Sequence, residues 1–208
     1  MMINIEFLEE IKRLNAIADV GLLYSHNDYD KERYSAIQNI SFKLLNMLND
    51  HSIESLKTSF PLVKDYPTPK VDIRGVLLSD DKKILLIKES ADGKWSLPGG
   101  WADIGETPRE VIIKEFKEET GLDVVPKTFL AVFDKRMHPH PPQPFYVYKM
   151  VFYCEAIPSN INKGFDVLDV QYFDVENLPE LSEDRILKSQ IKLAYKKVIS
   201  SDFTAYFD

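Results

Sequence analysis

Hydrophobic and polar positions alternate differently on the two sides of the segment Tyr66–Pro69. Before it, apolar residues recur every three or four positions, which is the helical spacing, and they form two separate stripes. The stripes consist of Ile11, Leu14, Ala18 and Leu22, and of Tyr34, Ile37, Ser41, Leu44, Leu45 and Leu48. We therefore predict two helices that pair as an antiparallel hairpin, followed by a short third helix around Ile53 to Thr58.

After Pro69 the pattern becomes typical of strands. VDIRGVLLSDDKKILLIKES predicts a β-hairpin with a polar Asp-Asp-Lys turn. Further strands are predicted in LDVVPKTFLAVFDKR, PFYVYKMVFYCEA and FDVLDVQYFDVENLPEL, and a C-terminal helix from Ser182 to Ile199. Strands on both sides of a central helix predict an α+β fold with a mixed sheet between helices. The predicted domains are a helical extension, 1–66, and an α+β domain, 67–208.

The central helix has clear boundaries in the sequence. Thr107 is a favoured N-cap, Pro108 suits the first helical position, and Glu110 completes a capping box. Gly121 is suited to the left-handed conformation that ends a helix. These signals predict a helix that begins at Pro108 and ends just before Gly121.

Three glutamates, Glu115, Glu118 and Glu119, lie along one edge of this helix. At spacings of three and four residues they repel one another, and they occupy the C-terminal half, where the helix dipole disfavours anions. A solvated charged face is the ordinary interpretation of a helix rich in Glu and Lys. A divalent cation explains the repulsion better, because carboxylate oxygens are the ligands that Mg²⁺ or Mn²⁺ prefers.

Charge and cysteine content narrow the possible functions. The formal net charge of −7 argues against a stable nucleic-acid partner or binding to an anionic membrane, since both require a basic surface. It does not exclude a small phosphorylated substrate whose charge a metal offsets. The single cysteine, Cys154, lies in a strand-like segment and is expected to be a buried thiol. With no signal-like or membrane-spanning segment, we expect a cytoplasmic protein.

The spacing of these residues resembles the Nudix box. Gly100 is followed after five residues by Glu106, and after seven more by Lys-Glu-Phe-Lys-Glu-Glu-Thr-Gly-Leu, residues 114–122. One fixed position departs from the pattern, since Lys114 stands where the family has arginine. The resemblance implies an α/β/α sandwich over residues 70 to about 200 and a metal-dependent hydrolysis of nucleoside diphosphates linked to another moiety, X.

The resemblance also implies roles for individual residues. Glu115 and Glu118 become catalytic candidates, with Glu115 as one candidate base. The implied ligands of Mg²⁺ or Mn²⁺ are Gly99, through its carbonyl, Glu115, Glu118 and Glu119. Gly100, Glu106 and Lys114 are expected to surround these ligands. Lysine at position 114 keeps the charge of arginine but cannot bind a carboxylate through two nitrogens of a planar guanidinium.

Two further regions suggest the substrate. The helical extension and LPGGWADIGETP resemble the group of bacterial CDP-choline pyrophosphatases and related ADP-ribose pyrophosphatases. Lys135 and Arg136 are candidates to bind phosphate, and the alternative is that they are solvated surface charges. Trp101 and Tyr148 are candidates to stack on a base, and the alternative is that they pack in the core. The roles of His138 and His140 stay open.

Asp134 and nearby aromatic residues could favour a choline cation, while ADP-ribose suits the metal chemistry equally well. The expected reaction yields CMP and phosphocholine, or AMP and ribose 5-phosphate. The alternatives are a housecleaning hydrolase of nucleoside triphosphates and a nucleotide-sensing regulator. The regulator is disfavoured because the acidic residues of the box are intact and the extension is itself acidic. We expect a homodimer, since two short helices make a thin core.

Overall fold

The computed structural model describes residues 5–48, 66–103, 105–158 and 160–208. They form two compact units. The helical unit comprises Met1–Pro69 with Pro142–Phe145, and the α/β unit comprises Lys70–Pro141 with Tyr146–Asp208. The third helix predicted around Ile53 to Thr58 lies outside the described residues. No helix in the described part of the chain is both long and apolar enough to cross a bilayer.

The helical unit contains helices α1, Ile5–Tyr24, and α2, Asp28–Leu48. Their buried faces meet through an apolar cluster and through one polar contact, in which the Ser41 hydroxyl donates to Asn15 Oδ1 at 2.8 Å. The apolar cluster consists of Leu8, Ile11, Phe42 and Leu45. An early residue of one helix thus meets a late residue of the other, and the predicted antiparallel hairpin is confirmed.

The described residues of the α/β unit form eight strands and two α-helices. The strands are β1 (Lys70–Leu77), β2 (Ile84–Glu89), β3 (Trp95–Ser96), β4 (Gly99–Trp101), β5 (Val124–Asp134), β6 (Val147–Ala156), β7 (Val167–Phe173) and β8 (Tyr206–Phe207). The helices are α3 (Pro108–Thr120) and α4 (Lys188–Ile199), and a single 3₁₀ turn spans Lys135–Met137. A mixed sheet has the order β4-β1-β6-β5-β8, and a smaller antiparallel sheet the order β3-β2-β7. The predicted fold class is confirmed.

The predicted β-hairpin at the start of this unit is wrong in its pairing. A tight turn does join β1 to β2, with Ser79 N–H donating to Lys83 O at 2.9 Å, but only one bridge, Leu78 to Ile84, links the strands. The two strands then enter different sheets, because each pairs along its whole length with another strand, β1 with β6 and β2 with β7. Their other neighbours are the short strands β4 and β3.

Each face of the mixed sheet carries its own apolar core. On one face, Ile112 and Phe116 of α3 pack on Ile73 and Leu77 of β1. On the other face, Ile191 of α4 belongs to a separate cluster. The prediction that α4 begins at Ser182 is wrong: residues 182–185 form a turn instead, in which the Ser182 hydroxyl donates to the Asp92 carboxylate at 2.6 Å.

Candidate functional site

Helix α3 positions the candidate metal ligands, and its boundaries are those predicted. The Thr107 hydroxyl accepts from Glu110 N–H, the Glu110 carboxylate accepts from Thr107 N–H, and Gly121 takes the left-handed conformation with φ of 73°. Segment 160–166 then covers the C-terminal end, where Gly164 N–H donates to Glu119 O at 3.0 Å. These contacts satisfy backbone groups that a helix end otherwise leaves unpaired, so the register of the glutamates is fixed.

The acidic edge, defined as the carboxylates of Glu115, Glu118 and Glu119, faces the loop that carries β4. Glu119 is 6% exposed, and its Oε2 accepts from Gly99 N–H at 2.8 Å. The Glu115 carboxylate lies so close to Gly100 that a Cβ at position 100 would overlap it. Gly99 has φ of 136°, and a Cβ there would overlap the Ile73 carbonyl. The two glycines are therefore needed to bring the loop backbone against the acidic edge.

The carboxylates share one edge of α3, and each of them has a different neighbour. Glu119 turns inward to Gly99, Glu115 lies against Gly100, and Glu118 is exposed. Among the described residues, no three His, Cys, Asp or Glu side chains are close enough to form a ready-made metal cage. Mutual repulsion accounts for the separation, because each carboxylate can take a different neighbour.

The electrostatics of the acidic edge nevertheless fit a divalent cation. Burial raises the pKa of Glu119 well above its ordinary value, and the charge of Glu115 adds to the rise. Burial also raises the pKa of Glu115, with further contributions from Glu118 and Asp166. The ionised carboxylates are thus destabilised by burial and by one another, and a cation would relieve both effects. Hard oxygen donors are also the set that Mg²⁺ or Mn²⁺ prefers.

Lys114 occupies the position at which the family has arginine, and it contacts a carboxylate of the box. Its Nζ lies 3.2 Å from Glu106 Oε1 and 3.1 Å from Asp103 Oδ2, and these bonds raise the pKa of Lys114. The second oxygen of Glu106, Oε2, is buried without a hydrogen-bond partner in the described structure. The lysine therefore holds Glu106 through one oxygen and leaves the other available.

Asp166 was missed by the sequence analysis. It precedes β7, and segment 160–166 brings it near α3, where its charge raises the pKa of both Glu115 and Glu89. No local signal marks it, because it lies 47 positions after Glu119 in a polar loop.

A buried network of charges, also missed, lies beside the acidic edge. The Asp72 carboxylate accepts from Arg74 Nε at 3.0 Å and from Lys149 Nζ. Arg74 Nη1 donates to Leu97 O at 2.9 Å, and the charge of Glu119 helps to raise the pKa of Arg74. The network escaped detection because these residues belong to strands that meet only in the sheet: Asp72 pairs with Lys149 in register.

Lys135 and Arg136 were predicted together, but the structure separates them. Lys135 is 9% exposed, and its Nζ donates to Asp184 O at 2.6 Å. Burial and the nearby Lys149 lower the pKa of Lys135 to about 8. Arg136 is exposed and pairs with Asp134 at 3.1 Å. Asp134 thus already has a cationic partner, which weakens the case for Asp134 as the residue that binds choline.

The two histidines of the following loop also differ. His138 Nε2 lies 3.0 Å from the Asp208 carboxylate, so this ring anchors the C-terminal residue. His140 is 8% exposed, with Nδ1 2.6 Å from Glu183 O and Nε2 buried without a partner among the described residues. Of the two rings, His140 is therefore the one with a buried nitrogen that has no hydrogen-bond partner in the described structure.

Trp101 and Tyr148 are 48% and 44% exposed, so neither is a core residue. Trp101 pairs with Asp72 across β1 and β4, whereas Tyr148 pairs with Val71 across β1 and β6. Residues 71 and 72 project to opposite faces of the strand, so the two rings also lie on opposite faces. They cannot sandwich one base between them.

Cys154 is buried, as expected, and burial raises the pKa of its thiol to about 12. The thiol is therefore neutral and inert at physiological pH.

Comparison with known proteins gives two adjoining family matches. Residues 68–193 match the NUDIX domain, and residues 6–60 match a domain described as "UDP-X-like, N-terminal oligomerisation domain". The chain is 36% identical over 206 residues to a Bacillus subtilis protein named "Putative ADP-ribose pyrophosphatase YjhB", covering 99% of both. It is also 35% identical to an ADP-ribose pyrophosphatase of Methanocaldococcus jannaschii, covering 61% of this chain and 76% of that protein.

Two solved structures extend the similarity to the fold. A UDP-X diphosphatase superposes with a TM-score of 0.63 at 32% identity, covering 98% of each chain. An ADP-ribose pyrophosphatase from Streptococcus suis superposes with a TM-score of 0.59 at 30% identity, covering 68% of this chain and all of that one. Together with the matching box on α3, these similarities show that the chain belongs to the Nudix hydrolase family and is a Nudix pyrophosphatase.

Proposed function

We propose that this enzyme cleaves the pyrophosphate bond of a nucleoside diphosphate linked to a moiety X, with CDP-choline and ADP-ribose as the candidate substrates. The observation that carries the proposal is the acidic edge: a buried Glu119 with a raised pKa beside Glu115, both held against the β4 loop by glycines. The names of the two full-length relatives, an ADP-ribose pyrophosphatase and a UDP-X diphosphatase, support a substrate of this class.

Nudix hydrolases generally use divalent cations, and Mg²⁺ or Mn²⁺ is the cation that we propose here. The proposed ligands are Glu115, Glu118, Glu119 and the Gly99 carbonyl. A bound cation would offset the charge of the phosphate oxygens and acidify the water beside it. Glu106 and Lys114 would keep the neighbouring backbone in place, through the ion pair at 3.2 Å.

The proposed reaction adds one water across one phosphoanhydride bond. The water oxygen bonds to one phosphorus, the bridging P–O bond breaks, and the leaving phosphate keeps the bridging oxygen. Glu115 or Glu118 accepts the proton of the attacking water at a carboxylate oxygen. The products are AMP and ribose 5-phosphate, or CMP and phosphocholine.

Trp101 is proposed as a stacking platform for the base or for X. Its ring is half exposed, and the Lys70 ammonium lies 5.6 Å from the ring centroid. Tyr148 is the corresponding candidate on the other face of the sheet. Arg136 is a weaker phosphate-binding candidate than Lys135 because Asp134 already pairs with it.

The test is a substrate panel with chromatographic identification of products. It should contain CDP-choline, ADP-ribose, sugar nucleotides, dinucleoside polyphosphates and nucleoside triphosphates, each with Mg²⁺ or Mn²⁺. We expect two monophosphate products from a nucleoside diphosphate-X compound. A clear preference for nucleoside triphosphates with release of inorganic pyrophosphate would instead support a housecleaning hydrolase.

We further propose that residues 1–66 form an assembly domain, that residues 67–208 form the hydrolase domain, and that the protein is a cytoplasmic homodimer. The helical unit has large exposed apolar side chains, among them Ile17, Tyr24 and Met47, and a groove of about 700 Å³ lined in part by Ile17 and Tyr34. Exposed apolar surface of this kind marks interaction sites. Sedimentation of the full-length protein as a monomer at micromolar concentration would contradict the homodimer.

A further inference from the structure

Three cations are buried together on the sheet face opposite α3, and one of them, Lys135, has no carboxylate at ion-pair distance among the described residues, whereas Arg74 has Asp72 and Glu89 and Lys149 has Asp72. This cationic cluster consists of Arg74, Lys135 and Lys149, which are 5%, 9% and 1% exposed. Arg74 and Lys149 share the carboxylate of Asp72. Taking an ion out of water costs several kcal/mol unless good partners replace the water, so the cluster needs an explanation beyond stability.

Lys135 is the least compensated member. Its Nζ donates to a backbone carbonyl, Asp184 O, and no carboxylate lies within ion-pair distance among the described residues. An ammonium has three donors and no acceptor, so this contact leaves two donors unused. The charges of Lys149 and Arg74 make the potential at Lys135 more positive, and the charges of Asp184 and Asp72 act in the opposite direction. A ligand that satisfies Lys135 must therefore be an anion or a strong hydrogen-bond acceptor.

His140 lies next to Lys135, and it offers a hydrogen-bond acceptor where Lys135 offers donors. The two side chains bind consecutive carbonyls, Glu183 O and Asp184 O. A carbonyl only accepts, so Nδ1 of His140 carries the hydrogen, and Nε2 is a bare acceptor without a partner in the described structure. Burial and the neighbouring lysines lower the pKa of His140 to about 4, which keeps Nε2 unprotonated at neutral pH.

The cationic cluster lies beside the acidic edge. Arg74 pairs with Gly99 across β1 and β4, and Gly99 N–H donates to Glu119. Arg74 therefore lies between Asp72, which accepts from its side chain, and Gly99, which binds the candidate metal ligand Glu119. The two regions are therefore connected through β1 and the β4 loop.

We propose that Lys135 and His140, with Lys149 and Arg74 behind them, bind the phosphate and an adjacent hydroxyl group of moiety X, so that X is a sugar rather than choline. This inference rests on the proposed hydrolysis of nucleoside diphosphate-X compounds and narrows its substrate class. Lys135 donates to phosphate oxygens, and His140 Nε2 accepts from the hydroxyl. The choline group of phosphocholine, whose oxygen is esterified, has no hydrogen-bond donor and carries a positive charge, so the cationic cluster repels it and His140 stays unsatisfied.

The experiment measures product binding to full-length protein by calorimetry in EDTA, so that its readout does not depend on catalysis. The ligands are ribose 5-phosphate, phosphocholine, AMP and inorganic phosphate. We expect ribose 5-phosphate to bind at least about tenfold more tightly than phosphocholine. A difference of this size is what one or two hydrogen bonds to buried polar groups contribute to affinity. Lys135→Met should abolish this binding, whereas Lys127→Met, an exposed lysine that pairs with Glu155, should leave it unchanged.

His140→Asn separates recognition from folding. An asparagine amide can still donate to Glu183 O but has no acceptor at the position of Nε2, so the advantage of ribose 5-phosphate over phosphocholine should disappear. The inference is overturned if phosphocholine binds as tightly as ribose 5-phosphate, or if neither binds up to about 10 mM. The inference is also overturned if His140→Asn weakens the binding of AMP but not that of ribose 5-phosphate, because the nucleoside would then be the group that contacts His140.

Hydrolysis assays in parallel distinguish this inference from the proposed function. If no nucleoside diphosphate-X compound is cleaved although ribose 5-phosphate binds through Lys135, the proposed function fails and the binding site stands. If ADP-ribose and CDP-choline are cleaved with equal kcat/KM and Lys135→Met lowers both equally, the hydrolase stands and the sugar preference fails.

Discussion

The acidic edge and the cationic cluster both belong to the α/β unit, and they balance their charges differently. The carboxylates of the acidic edge repel one another, and the buried Glu119 relies on Gly99 N–H and on the charge of Arg74. Two members of the cationic cluster are clamped by the buried Asp72. Neutralising a carboxylate should therefore stabilise the fold when it belongs to the acidic edge and destabilise it when it is Asp72, the partner of the cationic cluster.

The largest effect should come from neutralising the acidic edge. Glu115→Gln and Glu119→Gln should each lower kcat about 10²- to 10³-fold at saturating Mg²⁺, because each removes a proposed metal ligand. Without metal, the melting temperature should stay level or rise, since like-charge repulsion is relieved. Glu110→Gln is the matched control, because it lies on the same helix and glutamine keeps the capping bond. Near-normal turnover in both variants would refute the metal site.

Asp72→Asn should have the opposite effect on stability. It leaves Arg74 and Lys149 buried without their shared carboxylate, and breaking a buried ion pair costs about 3–5 kcal/mol. Urea unfolding would measure the change. A variant as stable as the wild type would show that the cationic cluster does not depend on Asp72.

The third effect concerns stability in acid. The buried His140 has its pKa lowered to about 4, by burial first and then by Lys135, Lys149 and His138. The unfolded chain binds the proton below about pH 6.5 and the folded chain only near pH 4, so stability present above pH 6.5 falls as the pH drops through this window. The loss from this group is on the order of 2 kcal/mol. Unfolding curves at pH 7 and pH 4.5 should differ less for His140→Asn than for the wild type; an equal loss would contradict the burial of a neutral imidazole.

The smallest effect should follow Lys114→Arg. Arginine keeps the charge and can hold Glu106 through two oxygens, where lysine holds one at 3.2 Å. We expect kcat to stay level or rise within a few-fold, because the residue orients its neighbours without contacting substrate. A drop of more than about tenfold, measured by steady-state kinetics, would show that the lysine is itself optimised for this site.

The acidic edge could be read from the sequence because its signals are local. A capping box, a C-terminal glycine and glutamates at fixed helical spacing are all set within residues 100–122, and the structure shows the helix that they predict. The cationic cluster could not be read in this way. Asp72 and Lys149 are 77 positions apart and meet only because β1 and β6 pair in register.

The sequence by itself determined the two helices of the extension, the limits of α3 and the composition of the acidic edge, since helical periodicity and capping depend on neighbours a few residues apart. It did not determine strand partners, and the predicted hairpin failed because β1 pairs along its length with β6 and β2 with β7, in different sheets. Tertiary structure alone decided that Lys135 is buried while Arg136 is exposed, and that His140 keeps an unpaired nitrogen. Burial and hydrogen-bond satisfaction depend on every element that packs against a side chain, and those elements come from distant parts of the chain.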